Sequence, residues 1–68
     1  MNKTVIIEGM MCNNCAKHVE DALKAIGADV NVVLDEKKAY IQNTSLSDEQ
    51  ITSTVEQAGY EVKEIING

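Results

Sequence analysis

The stretch TVIIEGMMCNNCAKHVEDALKAI, residues 4–26, changes from a strand pattern to a helix pattern and holds both cysteines at the change. Residues 4–8 are rich in β-branched side chains, which favours a short strand. From residue 16 to residue 26, apolar side chains recur at spacings of three and four, which predicts an amphipathic helix. Cys12 and Cys15 lie three residues apart, close to one helical turn, so both thiols can point toward a common centre.

The position of the two cysteines favours their ionised form. A helix N-terminus carries unpaired N–H groups and partial positive charge, and both stabilise a thiolate relative to a thiol. The thiolate is the metal-binding and nucleophilic form of cysteine. The junction therefore predicts a soft, anionic site of two sulfurs.

The rest of the chain alternates between strand and helix patterns. Gly27 is the expected end of the first helix. Ser47 and Gln50 have the spacing of a capping box, which predicts the start of a second helix that Gly59 ends. The other predicted elements are a strand over residues 30–34, a charged turn over residues 35–38, a strand over residues 39–42 and a last strand over residues 61–66.

The predicted element order is βαββαβ, two βαβ units in tandem within one domain of residues 1–68. Right-handed crossovers fold such a chain into an α+β, ferredoxin-like sandwich: a four-stranded antiparallel sheet with two helices on one face. In this architecture the loop after the first strand and the loop before the last strand lie at the same end of the sheet. We therefore expect Tyr60 to lie near Cys12 and Cys15.

Composition and charge exclude several classes of function. The chain has 68 residues and a net charge of −5, which argues against nucleic-acid binding. Its apolar runs are a few residues long, and the N-terminus enters a strand pattern at once, so we expect neither membrane insertion nor a signal peptide. Two cysteines without a secretory signal indicate a reduced pair in a cytoplasmic protein. The negative net charge is compatible with a protein that is monomeric without metal.

Several kinds of chemistry use a C-x-x-C pair. Thiol–disulfide redox activity is the first alternative, but the chain lacks the Trp and Pro that usually accompany a redox loop. A structural zinc site needs about four ligands, and the chain offers two cysteines and His18. A soft cation held by two thiolates remains: Cu(I) fits best by softness and low coordination number, and Hg(II) fits by the same argument. Zn(II) or Cd(II) would need further oxygen ligands.

The residues around the cysteines have less specific roles. Met10 is expected to be a buried anchor of the loop, and Met11 to face solvent, with an auxiliary sulfur role as the lesser alternative. Tyr60 is expected to shield the metal loop as a residue just outside the ligands. His18 is interpreted as a surface histidine, with a role as third ligand left open.

The segment Gly9-Met10-Met11-Cys12-Asn13-Asn14-Cys15 resembles the G-M-x-C-x-x-C motif of heavy-metal-associated domains. That family includes small bacterial copper chaperones and the N-terminal domains of copper-transporting P-type ATPases. The likeness extends over the whole chain, including the hairpin and the closing Ala-Gly-Tyr-Glu-Val of residues 58–62. The chain departs from the family's common pattern at Met11, where Thr, Ser or His is frequent, and at Asn14, where His is frequent.

The resemblance implies a function. Cys12 and Cys15 would bind Cu(I) and pass it by thiolate exchange to a partner's cysteine pair, without catalysis. Tyr60 matches the position where bacterial chaperones often carry Tyr. The implied partner is a copper-transporting P-type ATPase or a copper-responsive repressor, and a metal-bridged dimer is left open. The alternative is a soft-metal-binding regulatory domain of a heavy-metal P-type ATPase for Cu, Hg, Zn or Cd.

Overall fold

The computed structural model describes residues 2–42 and 45–67. Residues 1, 43, 44 and 68 of the predicted 1–68 domain lie outside this description. In chain order the elements are β1 (Lys3–Glu8), α1 (Asn13–Ala25), β2 (Asp29–Val33), a short 3-10 helix (Leu34–Glu36), β3 (Lys38–Gln42), α2 (Asp48–Gln57) and β4 (Glu61–Asn67). The predicted βαββαβ order is confirmed.

The four strands form one antiparallel sheet in the order β2-β3-β1-β4. Alternate residues of the two central strands, such as Val5 and Ile7 in β1, are fully buried and pack in one core with residues of both helices. Both helices therefore cover the same sheet face, and the predicted ferredoxin-like sandwich is confirmed. The register of β1 and β4 shifts between Ile6 and Ile7, which lets β4 reach the end of β1 where the cysteine loop begins.

Both helices end in the same way. After α1, the N–H of Gly27 donates to the carbonyl of Lys24 and the N–H of Ala28 donates to that of Leu23. This pair of hydrogen bonds is the Schellman motif, which closes a helix on a glycine. After α2, Gly59 and Tyr60 make the equivalent bonds to Glu56 and Val55. Both glycine stops predicted from the sequence are confirmed.

Several predicted boundaries were wrong by one to three residues. The first helix starts at Asn13 rather than residue 16, because the segment between the cysteines is itself helical. The second strand is Asp29–Val33 rather than 30–34, because Ala28 completes the Schellman motif and the strand follows at once. The predicted charged turn is the 3-10 helix followed by Lys37, whose φ of 56° is left-handed and whose carbonyl accepts from the N–H of Ile7.

Across residues 2–42 and 45–67, neither helix has the length and apolar character that spanning a membrane requires.

Candidate metal centre

The loop between β1 and α1 is shaped by its glycine and anchored by a methionine. Gly9 has a φ of +98°, a conformation that residues with a side chain rarely adopt. A Cβ at Gly9 would lie 3.5 Å from Cδ1 of Tyr60, so the tyrosine ring lies against this turn. Met10 is 3% exposed and belongs to the core, as expected of an anchor. One end of the loop is thus fixed inside the protein.

The two cysteines lie on either side of the start of α1. Cys12 is the N-cap residue, in an extended conformation, and its side chain makes no capping hydrogen bond to the helix. Cys15 lies in the first helical turn. The Cys12 thiol donates to Sγ of Cys15 at a sulfur–sulfur distance of 3.3 Å, and both thiols are free. The predicted convergence of the two sulfurs is confirmed.

The surroundings of Cys15 lower the pKa of its thiol to about 7. The largest cause is a hydrogen bond with the side chain of Tyr60; the backbone of Met11 and the thiol of Cys12 contribute further hydrogen bonds. Partial burial opposes these effects. The same contact raises the pKa of Tyr60, because its hydroxyl proton is held by the thiolate. At neutral pH a large fraction of Cys15 is therefore ionised.

Tyr60 reaches the cysteines because of the way α2 ends. Its backbone N–H is the last donor of the Schellman motif, bonded to the carbonyl of Val55 at 3.2 Å. Its half-buried ring packs against the core, next to Gly9. The expectation that Tyr60 lies beside the cysteines, 45 residues away from Cys15 in sequence, is confirmed.

The site offers two sulfurs and few other ligands. Across the described ranges, no group of three or more His, Cys, Asp and Glu side chains is arranged to hold a metal ion. His18 is exposed on α1 and forms no such group with the cysteines. The arrangement therefore suits a soft cation that accepts two thiolate ligands better than one that needs four ligands, such as structural Zn(II).

Three lysines lie beside the loop or on the helix that follows it. Lys17 is exposed two residues after Cys15, and Lys24 pairs with Glu20 at 3.4 Å along the helix. Lys37, in the turn before β3, lines a groove of about 430 Å³ together with Met10 and Met11. Sequence reasoning missed Lys37, because its place depends on the pairing of β1 with β3.

Sequence reasoning also missed the main-chain donor in this site. The backbone of Met11 hydrogen-bonds to the Cys15 sulfur and so helps to lower the pKa of that thiol. A main-chain N–H has no residue signature of its own. The only available signal was position, because a residue just before a helix N-terminus can direct its N–H toward an anion.

A pair of free thiols, one exposed and one half-buried, at the first turn of a ferredoxin-like domain defines a small metal-binding module. Residues 4–61 match the model of the heavy-metal-associated domain family. The chain belongs to that family.

Individual relatives include both free proteins and parts of larger ones. The chain is 31% identical over 67 residues to the copper chaperone CopZ of Staphylococcus haemolyticus, covering 93% of this chain and 98% of that protein. It is 40% identical over 63 residues to copper-transporting ATPase 1 of Rhizobium meliloti, covering 88% of this chain and 8% of the ATPase. The solved copper-binding domain of HMA7, a P-type ATPase, superposes with a TM-score of 0.86 at 30% identity, covering 98% of this chain and 96% of that domain.

Proposed function

We propose that this protein is a cytoplasmic metallochaperone that binds Cu(I) through Cys12 and Cys15 and hands it to a partner by thiolate exchange. The observation that carries the proposal is the pair of free sulfurs 3.3 Å apart at an uncapped helix N-terminus. The lowered pKa of Cys15 supports it, because Cu(I) binds thiolates and about half of this cysteine is already ionised at neutral pH.

The donor set supports Cu(I) over cations that require more ligands. Two thiolates satisfy a soft cation of low coordination number, whereas Zn(II) needs two further ligands that the described residues do not group around the pair. The relatives support the same choice, since their names specify copper. Hg(II) shares the preference for two thiolates and serves as a competitor in the tests.

The exposure of the site supports handover. Cys12 is exposed and Cys15 is half-buried, so an incoming thiolate has access to the metal from the Cys12 side. The partner's sulfur forms a bond to Cu(I) first, and a bond to one of the two cysteines then breaks. The copper stays Cu(I) throughout, so the exchange needs neither an oxidant nor a reductant.

The partner in this proposal is a copper-transporting P-type ATPase. It is supported by the 40% identity to a segment of such an ATPase, because a chaperone and its acceptor that hold the metal alike can exchange it. The same identity favours a second candidate, a metal-binding regulatory domain of an ATPase of this kind. The copper-responsive repressor and the metal-bridged dimer stay predictions from the sequence.

The binding test is an anaerobic titration of the reduced protein with Cu(I) in the presence of a competing chelator. Parallel titrations use Zn(II) and Hg(II). The double variant Cys12→Ser/Cys15→Ser removes the ligands, and Asn13→Ser/Asn14→Ser is the matched control, because it changes the two exposed residues between them. We expect about one Cu(I) per chain or per dimer in the wild type and the control, and none in the cysteine variant. Weak Cu(I) uptake with tight Zn(II) binding would contradict the proposal.

Handover needs its own test. The Cu(I)-loaded protein is mixed with the metal-binding domain of a copper-transporting ATPase while a chelator traps any copper that dissociates. Transfer to the domain without loss to the chelator supports direct thiolate exchange. If the chelator instead captures the copper at the rate of unassisted dissociation, the protein binds the metal but does not hand it directly to the domain. A disulfide-reduction assay on the same sample measures the redox alternative, which predicts turnover.

A further inference from the structure

We propose that Met11 supplies a third, thioether ligand to the Cu(I) bound by Cys12 and Cys15, and that a partner's thiolate displaces it during handover. The inference rests on the proposed function of the cysteine pair. It assigns a role to a side chain that the fold itself does not use.

The two neighbouring methionines of the loop have opposite environments. The Met10 side chain is 3% exposed and forms part of the core, whereas that of Met11 is 88% exposed. Burial of a methionine side chain stabilises a fold, and Met11 forgoes nearly all of that stabilisation. Two other large apolar side chains in the described ranges are exposed, Ile26 and Ile66, but they are roughly half as exposed and lie outside the loop. Packing therefore gives no reason for a methionine at position 11.

The backbone of Met11 lies next to both sulfurs. It precedes Cys12 directly, and its main chain hydrogen-bonds to the sulfur of Cys15. The Cα that carries the thioether is one bond, about 1.5 Å, from the main-chain nitrogen. The methionine side chain is unbranched with three rotatable bonds, so it can fold back toward a nearby metal. Because the side chain is 88% exposed, this movement costs little packing.

A thioether suits the open side of this particular site. It is a soft, neutral donor of the kind that selects Cu(I), and it is not among the usual ligands of Zn(II). It binds without releasing a proton, since it carries none. It is also a weaker ligand than a thiolate, so an incoming thiolate replaces it: the bond between copper and the thioether breaks as the bond to the partner's sulfur forms.

Other side chains are less suited to this position. Met10 would have to leave the core to reach the metal. His18 lies three residues after Cys15 and is exposed on α1. Within the described residues it forms no metal-binding group with the two cysteines. His18→Ala therefore serves as the comparison variant.

The test is X-ray absorption at the copper edge of the Cu(I)-loaded monomer in which selenium replaces the sulfur of methionine. We expect a copper–selenium contribution beside the copper–sulfur shell. Met11→Leu should abolish it, and Met10→Leu, which keeps the selenium at position 11, should preserve it. Met11→Leu should also reduce retention of Cu(I) against a chelator by roughly tenfold or less and leave Zn(II) binding unchanged. Leucine conserves the volume of an exposed side chain, so the melting temperature should stay the same.

The outcomes separate this inference from the function on which it rests. Copper bound by two sulfurs without a selenium neighbour would overturn the role of Met11 and leave the chaperone proposal intact. A copper–nitrogen contribution that is lost in His18→Ala, with no selenium contribution lost in Met11→Leu, would overturn it in favour of His18. Failure of the wild type to retain Cu(I) at all would overturn both.

Discussion

The two helices of this domain end alike but begin differently. Ser47 caps α2 with a complete capping box: its hydroxyl accepts from the N–H of Gln50 at 3.2 Å, and the Gln50 side chain accepts from the N–H of Ser47 at 3.0 Å. Asp48 and Glu49 occupy the first turn. Cys12 begins α1 without a side-chain cap, and no acidic residue lies in its first turn.

The start of α2 contributes to the stability of the fold, whereas the start of α1 contributes to the candidate site. The start of α2 uses its N–H groups and dipole to stabilise the helix. The start of α1 leaves the same groups available to an anion, and the anion there is a cysteine thiolate. The uncapped end is less favourable for folding and more favourable for metal binding. Substitutions that exchange the characters of the two ends should test this interpretation.

The largest expected effect comes from giving α1 a conventional cap. Cys12→Ser should lower Cu(I) affinity by at least about 100-fold, because it removes a ligand rather than an outer contact. It should raise the free energy of unfolding, by up to about 1 kcal/mol, because serine is a preferred N-cap residue. Competition with a chelator measures the first quantity and urea denaturation the second.

Cys15→Ser is the matched control for that substitution. It removes a ligand from within the helix, where serine gains no capping hydrogen bond, so affinity should fall without a gain in stability. Equal stability changes in the two variants would refute the account of the α1 terminus.

The converse change removes the cap of α2. Ser47→Ala should lower the free energy of unfolding by about 1 kcal/mol. For a domain of this size that corresponds to a fall in melting temperature of about 4–8 °C. Cu(I) affinity should not change, since the start of α2 contributes nothing to the site. Ser45→Ala, at an exposed position before the helix, should change neither quantity, and a similar loss there would indicate that the capping box is not the cause.

The ionisation of Cys15 gives a third prediction. The hydroxyl of Tyr60 is the largest cause of the lowered pKa, so Tyr60→Phe should raise the pKa of Cys15 from about 7 toward its ordinary value. Since the thiolate reacts and the thiol does not, the midpoint of alkylation rate against pH should move upward. Reactivity near pH 7 should fall, while reactivity well above pH 9 should converge with the wild type.

Tyr40→Phe is the matched control for that measurement. The hydroxyl of Tyr40 hydrogen-bonds to Glu36, and neither residue contributes to the pKa of Cys15. Its alkylation profile should match that of the wild type. If the alkylation midpoint of Tyr60→Phe is unchanged, the Tyr60 hydroxyl does not lower the pKa of Cys15.

The smallest expected effect comes from making the first turn of α1 resemble that of α2. Asn13→Asp places a carboxylate beside the positive end of the helix, which should stabilise the fold by about 0.3–1 kcal/mol. The new negative charge should also disfavour the neighbouring thiolates and raise the alkylation midpoint. Asn13→Ser is the matched control, because it replaces the asparagine without adding a negative charge. A raised stability with an unchanged midpoint would show that the carboxylate and the thiolates do not interact.

The fold was largely predictable because local signals agreed with one another. The capping box at Ser47, the glycine stops at residues 27 and 59 and the β-branched first strand fixed the element order, and topology placed Tyr60 beside the cysteines. The left-handed conformation of Lys37 was not predictable, since a lysine carries no signal for it. The start of α1 was misplaced because the apolar stripe begins after the cysteines, although the helix itself includes Cys15.

The proximity of the two cysteines in the candidate site was predictable, but the electrostatics of the site were not. The C-x-x-C spacing was sufficient to predict that the two sulfurs lie together. The pKa of Cys15 depends on hydrogen bonds from the Tyr60 side chain and the Met11 main chain, and the first of these exists only once the end of α2 is in place. Residue types alone do not give the distances between these donors and the Cys15 sulfur.

The segment from Val55 to Tyr60 has a consequence for which sequence changes the domain can tolerate. The backbone of Tyr60 is bonded to Val55, and its ring lies against Gly9, so the number of residues between these contacts sets where the hydroxyl lies. Adding or deleting one residue after Val55 would displace the hydroxyl without altering either cysteine. The length of this segment is therefore as strictly specified as the spacing of the cysteines themselves, although it holds no ligand.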